Sequence, residues 1–311
     1  MPGVVEITGG DYEHTLGLAG VRDDIDIRYA TAPLREVFVN MLNERCYEVC
    51  EFSLANYIML KDRGADWLHA IPVFPYRAFR HSTLYVRKDS PLRDPADLRG
   101  KRIGVPDFSM TAAVWTRGIL ADQYSVQWQH LHWVVSGRQR FATLPGVRLE
   151  TIDGDLEALL IEGRIDAMLT PQTVDDRKPA GDRKLRTLIA DAQAAEEAYL
   201  RAFGIYPINH VVVVRNDVLQ RLPGLPRTLF EAYAEAKTRA YARQLGTTLM
   251  PWGARHWEKT FDQFRGDPLP YGLNDINRTV VAKLAKHLYD QKLIRRESDV
   301  PALFLPGTEK F

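Results

Sequence analysis

Cysteine is nearly absent: Cys46 and Cys50 are the only two in 311 residues, and their spacing matches neither the zinc pairs nor the redox pair. Both read as small core residues. Charge of one sign is lacking too. With 41 basic and 40 acidic residues, and no block of five like charges, nothing draws the chain to a nucleic-acid backbone or an anionic membrane. An anion must therefore be met by a local site. No apolar run reaches the length of a membrane span, and the first residues, Met1-Pro-Gly-Val-Val-Glu-Ile-Thr-Gly-Gly-Asp11, have neither the positive nor the apolar region of a secretory signal. A cytoplasmic protein is expected, with no nucleic-acid or membrane partner. Internal repeats and low-complexity segments are also missing, which excludes solenoids and flexible arrays. What remains is a globular composition, 45% hydrophobic and 26% charged, long enough for about two domains.

Residues 4–8 and 25–31 alternate apolar and polar as half-buried strands do, and the first stops at Gly9-Gly10. A helix is predicted from Pro33 to about Glu44, a strand over 47–52, and a helix capped by Ser53. Strands follow at 68–74 and 82–87, then a turn-rich segment at 89–100. A second unit is predicted beyond it: strands at 101–105, 128–135, 147–152 and 165–169, and helices at 110–124, 156–162 and 192–203. The apolar Val211-Val-Val-Val214 reads as a strand returning to the first unit. The last third is helical over 228–245, 253–264 and 274–293, and could offer an interface between copies. This alternation predicts an α/β protein of two lobes, each a mostly parallel sheet flanked by helices, with 1–87 and 211–311 forming one lobe and 88–210 the other. Two lobes joined by at least two crossings imply a cleft, and ligands of such sheets bind at the loops after strands.

One of those loops stands out. Tyr76-Arg-Ala-Phe-Arg-His-Ser82 sets Arg77, Arg80 and His81 beside Tyr76 and Phe79, offering guanidinium forks for a carboxylate and apolar walls for a ring. Other such loops carry Asp11, Tyr12 and His14, then Ser53, then 107–111 with Thr111 at a helix start.

Several of these segments resemble one family in the order in which they occur. Gly10-Asp-Tyr-Glu-His-Thr15, Ile71-Pro-Val-Phe-Pro75, Phe79-Arg-His-Ser82, Leu98-Arg-Gly-Lys-Arg-Ile-Gly-Val-Pro106 and Met110-Thr-Ala-Ala-Val-Trp115 are similar to the 4,5-dihydroxyphthalate decarboxylases. So are Arg117-Gly-Ile-Leu-Ala121, Gly204-Ile-Tyr-Pro-Ile208, Met250-Pro-Trp252 and Pro270-Tyr-Gly-Leu273. The resemblance implies a periplasmic-binding-protein type II fold, a cytoplasmic carboxy-lyase and no organic cofactor. Pro33-Leu-Arg-Glu36 departs from the family, and the resemblance does not extend to 128–148 and 175–184, so the substrate could be a close analogue.

For 4,5-dihydroxyphthalate, loss of carbon dioxide to give 3,4-dihydroxybenzoate needs a clamp for the remaining carboxylate, a proton donor at the ring carbon and partners for the hydroxyls. The clamp is expected from Arg77 and Arg80, with Ser82, Ser53 and Thr111. Proton transfer is expected from His81 and His210, with Asp11 and His14 as hydroxyl partners or orienters, and ring stacking from Tyr12 and Trp115. His69, His130, His132, His256 and His287 read as structural. No His-x₃-His or similar pair points to a metal, and none is expected. The competing expectation is a non-catalytic solute-binding protein for a small anionic or aromatic ligand.

Overall fold

The structure, a computed structural model, describes residues 3–308 and Phe311. In chain order it runs β1 (Gly3–Gly9), β2 (Gly20–Arg22), β3 (Ile25–Thr31), α1 (Leu34–Glu44), β4 (Val49–Ser53), α2 (Leu54–Asp62), β5 (Leu68–Ile71) and β6 (Leu84–Arg87). Then come β7 (Arg102–Val105), α3 (Thr111–Tyr124), β8 (His132–Val135), β9 (Leu149–Thr151), α4 (Leu156–Ile161), β10 (Ala167–Leu169), β11 (Leu185–Thr187) and α5 (Ala192–Phe203). The chain ends with β12 (His210–Arg215), α6 (Asn216–Arg221), α7 (Leu225–Leu245), α8 (Gly253–Phe264) and α9 (Asp275–Asp290). Among the described residues no helix is long and apolar enough to cross a membrane.

Three short elements lie outside the sequence expectation. β2 pairs antiparallel with β3 across Asp23 and Asp24, both at positive φ (47° and 60°), the backbone of a two-residue hairpin turn. β11 is an edge strand of three residues, and α6 has six; both are too short to show a period. Residues 128–130 form a 3₁₀ turn before β8 rather than the start of a strand.

The chain divides into two compact units: one takes the chain up to Arg77, Ile208–Val281 and the stretch from Ser298, the other Ala78–Pro207 and Ala282–Glu297. In the first, the sheet order is β2-β3-β1-β4-β12-β5. β1 runs parallel to β3 and β4, and β12 antiparallel between β4 and β5. β12 takes that central place because its four valines are wholly buried, as a strand covered on both faces requires. Its core joins Val5, Ile7, Val49, Val212, Leu229 and Tyr233.

The second unit has the order β11-β6-β10-β7-β8-β9, parallel from β10 to β9 and antiparallel at β6 and β11. Val134, Leu159, Leu160, Ile165 and Met168 form its core. Both sheets are thus mixed. The pairing also moves residues 84–87, expected in the first lobe, into the second sheet, because β6 finds its hydrogen-bond partners in β10 and β11. The second half of α9 likewise groups with the second unit.

Candidate functional site

In the first unit the candidates converge on a residue that sequence reasoning passed over. Glu51 sits in β4 between Cys50 and Phe52 and is 1% exposed. The antiparallel register sets His210 opposite Ser53 and Val212 opposite Glu51, which makes Glu51 and His210 diagonal neighbours on one face. Their side chains meet: His210 Nδ1 lies 2.5 Å from Glu51 Oε1. A carboxylate only accepts, so Nδ1 carries the proton of this contact, and Nε2 is the atom left to exchange a proton with a ligand. The same carboxylate accepts from the Tyr12 hydroxyl at 2.9 Å and from the Gly10 amide at 2.9 Å. Burial first, then the charge of Glu51, pushes the Tyr12 phenol far above its ordinary range; Tyr12 is a donor.

The loop after β1 is built to bring Tyr12 there. Gly10 offers its amide to Glu51 while its carbonyl accepts from Tyr29 and Thr15. A side chain at Gly10 would collide with the Tyr12 ring, 2.4 Å from where its Cβ would stand. Around this hub the rings form a ladder. Tyr12 stacks on His14 (5.0 Å between centroids) and on Tyr76 (5.9 Å), and Tyr76 stacks on His210 (4.9 Å). His14 Nε2 donates to the Pro75 carbonyl at 2.8 Å, and burial lowers its pKa against that bond, so the ring is neutral. A pocket of about 160 Å³ is lined by Asp11, Thr15, Tyr29 and Thr31 among others. The signal for Glu51 was present in the sequence: a carboxylate inside an otherwise buried strand demands partners.

In the second unit Arg80, 4% exposed, and His81, 1% exposed, sit in a turn held to α3. Thr83 Oγ1 donates to the Arg80 carbonyl at 2.7 Å and lies 2.9 Å from Thr116 Oγ1. His81 Nε2 is 2.8 Å from Gln123 Oε1. Gln123 spends its amide nitrogen on the Ala195 carbonyl, so Oε1 faces the histidine and the proton is on Nε2. Burial lowers the His81 pKa, with Gln123 opposing. His81 Nδ1 is buried and has no hydrogen-bond partner among the described residues. Tyr199 of α5 meets the ring edge-on at 5.6 Å.

The other candidates lie as follows. Arg77 is 5% exposed and donates through Nη2 to the Pro270 carbonyl and Asn277 Oδ1, fastening the 270–277 segment of its own unit. Ser53 caps α2 by accepting from the Asn56 amide. Thr111 is buried at the start of α3, whose N-cap is Met110; Asp107 accepts from the Ser109 and Arg140 amides. Trp115 is wholly buried, edge-on to His287 at 5.6 Å, and packs core rather than ligand. Asp11 and Ser82 are exposed and make no hydrogen bond among the described residues. Among the described residues no three His, Cys, Asp or Glu side chains are grouped as a metal ion requires.

Comparison with known proteins places the chain. It is 32% identical over 238 residues to the 4,5-dihydroxyphthalate decarboxylase of Comamonas testosteroni, covering 73% of this chain and 71% of that protein. It is 32% identical over 198 residues to the 4,5-dihydroxyphthalate decarboxylase of Pseudomonas putida, covering 58% and 73%. No protein-family model matches. Among solved structures, the periplasmic aliphatic sulphonate binding protein SsuA from Escherichia coli superposes with a TM-score of 0.59 at 14% identity over 100% of both chains. The desulfurization enzyme DSZB gives 0.51 at 14% identity, covering 98% of each. These likenesses establish the periplasmic-binding-protein fold.

Proposed function

The chain belongs to the 4,5-dihydroxyphthalate decarboxylase family, and on that premise we propose that it decarboxylates 4,5-dihydroxyphthalate, or a close dihydroxylated analogue, to 3,4-dihydroxybenzoate. The observation that carries this reading is the His210–Glu51 pair. Each carboxylate of the substrate is para to a hydroxyl, so removing that hydroxyl's proton drives electron density toward the carbon that bears the carboxylate. Nε2 of His210 is the atom suited to take the proton. Glu51 fixes the tautomer and balances the imidazolium that forms, with Tyr12 and the Gly10 amide holding the carboxylate still. Tyr76, stacked on His210, holds the imidazole in its plane. Arg80 is the proposed partner of a substrate carboxylate.

Carbon dioxide release from 4,5-dihydroxyphthalate, measured together with the aromatic product, tests the reading. Stoichiometric gas and 3,4-dihydroxybenzoate are expected, and His210→Ala should lower kcat by about 10²- to 10⁴-fold. Thermal stabilisation by the compound with no gas released would make the protein a receptor instead.

A further inference from the structure

The Met250-Pro-Trp252 segment has no part in the proposed chemistry, and it stands on the surface of the first unit. Leu249 is 95% exposed and Trp252 72%; Met250 and Leu245 are half-exposed. Trp252 also holds φ at 60° where α8 begins, a conformation that a bulky residue adopts only at a cost. We propose that this loop and the outer face of α8 form a self-complementary surface that docks on the same surface of a second copy of the chain. The two α8 helices run antiparallel about a two-fold axis that passes between Glu258 and Lys259.

The inner face of α8 is already occupied. Trp257 and Phe261 pack edge-on against Tyr241 of α7, with ring centroids 5.5 and 5.4 Å away. On the opposite side Arg255, Glu258, Lys259 and Asp262, spaced three and four apart, make one exposed stripe. Among the described residues their side chains form no ion pair or hydrogen bond. Within one chain the stripe is frustrated: the basic Arg255 and Lys259 stand four apart, as do the acidic Glu258 and Asp262, and like charges at that spacing repel.

Antiparallel docking relieves both repulsions. It sets Arg255 against Asp262 of the second copy and Glu258 against Lys259 of the second copy, and the symmetry repeats each pair. Trp252 then faces Arg265 of the second copy, exposed at the far end of that helix, and an indole face suits a guanidinium. A parallel arrangement would oppose each charge to itself. The charges therefore set the orientation, while the apolar side chains of the loop, removed from water on both copies, supply the affinity. A membrane fits less well, because the stripe holds as many acidic as basic residues and lacks the cationic excess that anionic lipid attracts.

Sedimentation equilibrium of the full chain over a range of concentrations tests the pairing, with Glu258→Lys, Lys259→Glu, the double variant that carries both, and Trp252→Ser. The wild type should assemble in an even number of chains. Each single charge reversal turns two attractions across the axis into repulsions and should raise the dissociation constant about tenfold or more. The double variant should return to the wild-type value. An equimolar mixture of Glu258→Lys and Lys259→Glu should also associate as the wild type does, because each chain then meets the opposite charge. Trp252→Ser should weaken association by about tenfold as well. A wild type that stays monomeric at about 0.1 mM overturns the proposal. So does association that neither single reversal weakens, or weakening that the double variant and the mixture fail to reverse. A monomer that binds phosphatidylglycerol vesicles through Trp252 overturns it in favour of a membrane. If one single variant does not fold, the other and the double variant still decide.

Discussion

Two glutamates, one in each unit, are used in opposite ways. Glu51 is buried in a strand and surrounded by donors: Tyr12, Gly10 and His210 all point at its oxygens. Glu196 lies on a helix face with no donor among the described residues and one cation acting on it. A carboxylate ringed by hydrogen-bond donors is held in one orientation and orients its neighbours in turn, whereas a carboxyl short of donors and water holds its proton to higher pH. Residue type is shared; the count of donors decides which role follows.

Replacing each glutamate by glutamine should separate the two most sharply. In Glu51→Gln the amide turns two N–H groups toward partners that are themselves donors, and His210 loses the charge that balances its protonated form. Expected are a fall in kcat on the order of 10²-fold and a loss of about 1–3 kcal/mol in folding free energy, read from carbon dioxide release and a denaturant midpoint. Glu196→Gln should move stability the other way. Its folded pKa lies above the unfolded value, so between about 4.5 and 7 the native state binds more protons and stability declines as pH rises. Above that window the native state carries a desolvated carboxylate that glutamine lacks. The Glu196→Gln melting temperature should therefore exceed the wild type's at about pH 8 and match it at about pH 5. Equal shifts for the two variants at both pH values would erase the contrast.

The arginines at 77 and 80 give a second contrast, and it shows where sequence reasoning stops. The basic loop was legible as a candidate because charge and rings crowd into few positions, and both arginines fitted a clamp equally well. Yet the boundary between the units falls at Arg77 and Ala78. Arg77 spends its Nη2 on Pro270 and Asn277, residues some 200 positions away in the chain, which no local pattern reveals. The order of strands and helices was legible from periodicity because long elements carry it. The placing of β6 was not, since alternation tells which face is buried but not which sheet supplies the partner. His210 was legible as a histidine ahead of a valine run; its partner was not, because the pairing of β12 with β4 is a tertiary fact. Arg77→Lys should accordingly lose about 1–3 kcal/mol of stability, with a smaller loss of kcat/KM than Arg80→Lys. An Arg77→Lys enzyme of wild-type stability and no turnover would return Arg77 to the substrate.

The serines at 53 and 82 make the mildest comparison. Both were candidates for holding a carboxylate. Ser53 is 2% exposed and accepts from the Asn56 amide at the first turn of α2, where amides have no partner within the helix. Ser82 is exposed. Ser53→Ala removes that bond and should cost about 1 kcal/mol, the usual loss for a helix cap, seen as a lower midpoint with an unchanged slope. Because Ser53 pairs with His210 in the ladder, fraying at the cap would reach the proposed base first, so a modest fall in kcat should accompany the loss of stability. Ser82→Ala should stay within about 0.5 kcal/mol of wild type, as surface substitutions do. A Ser82→Ala enzyme with raised KM and unchanged stability would show that the exposed serine touches substrate after all.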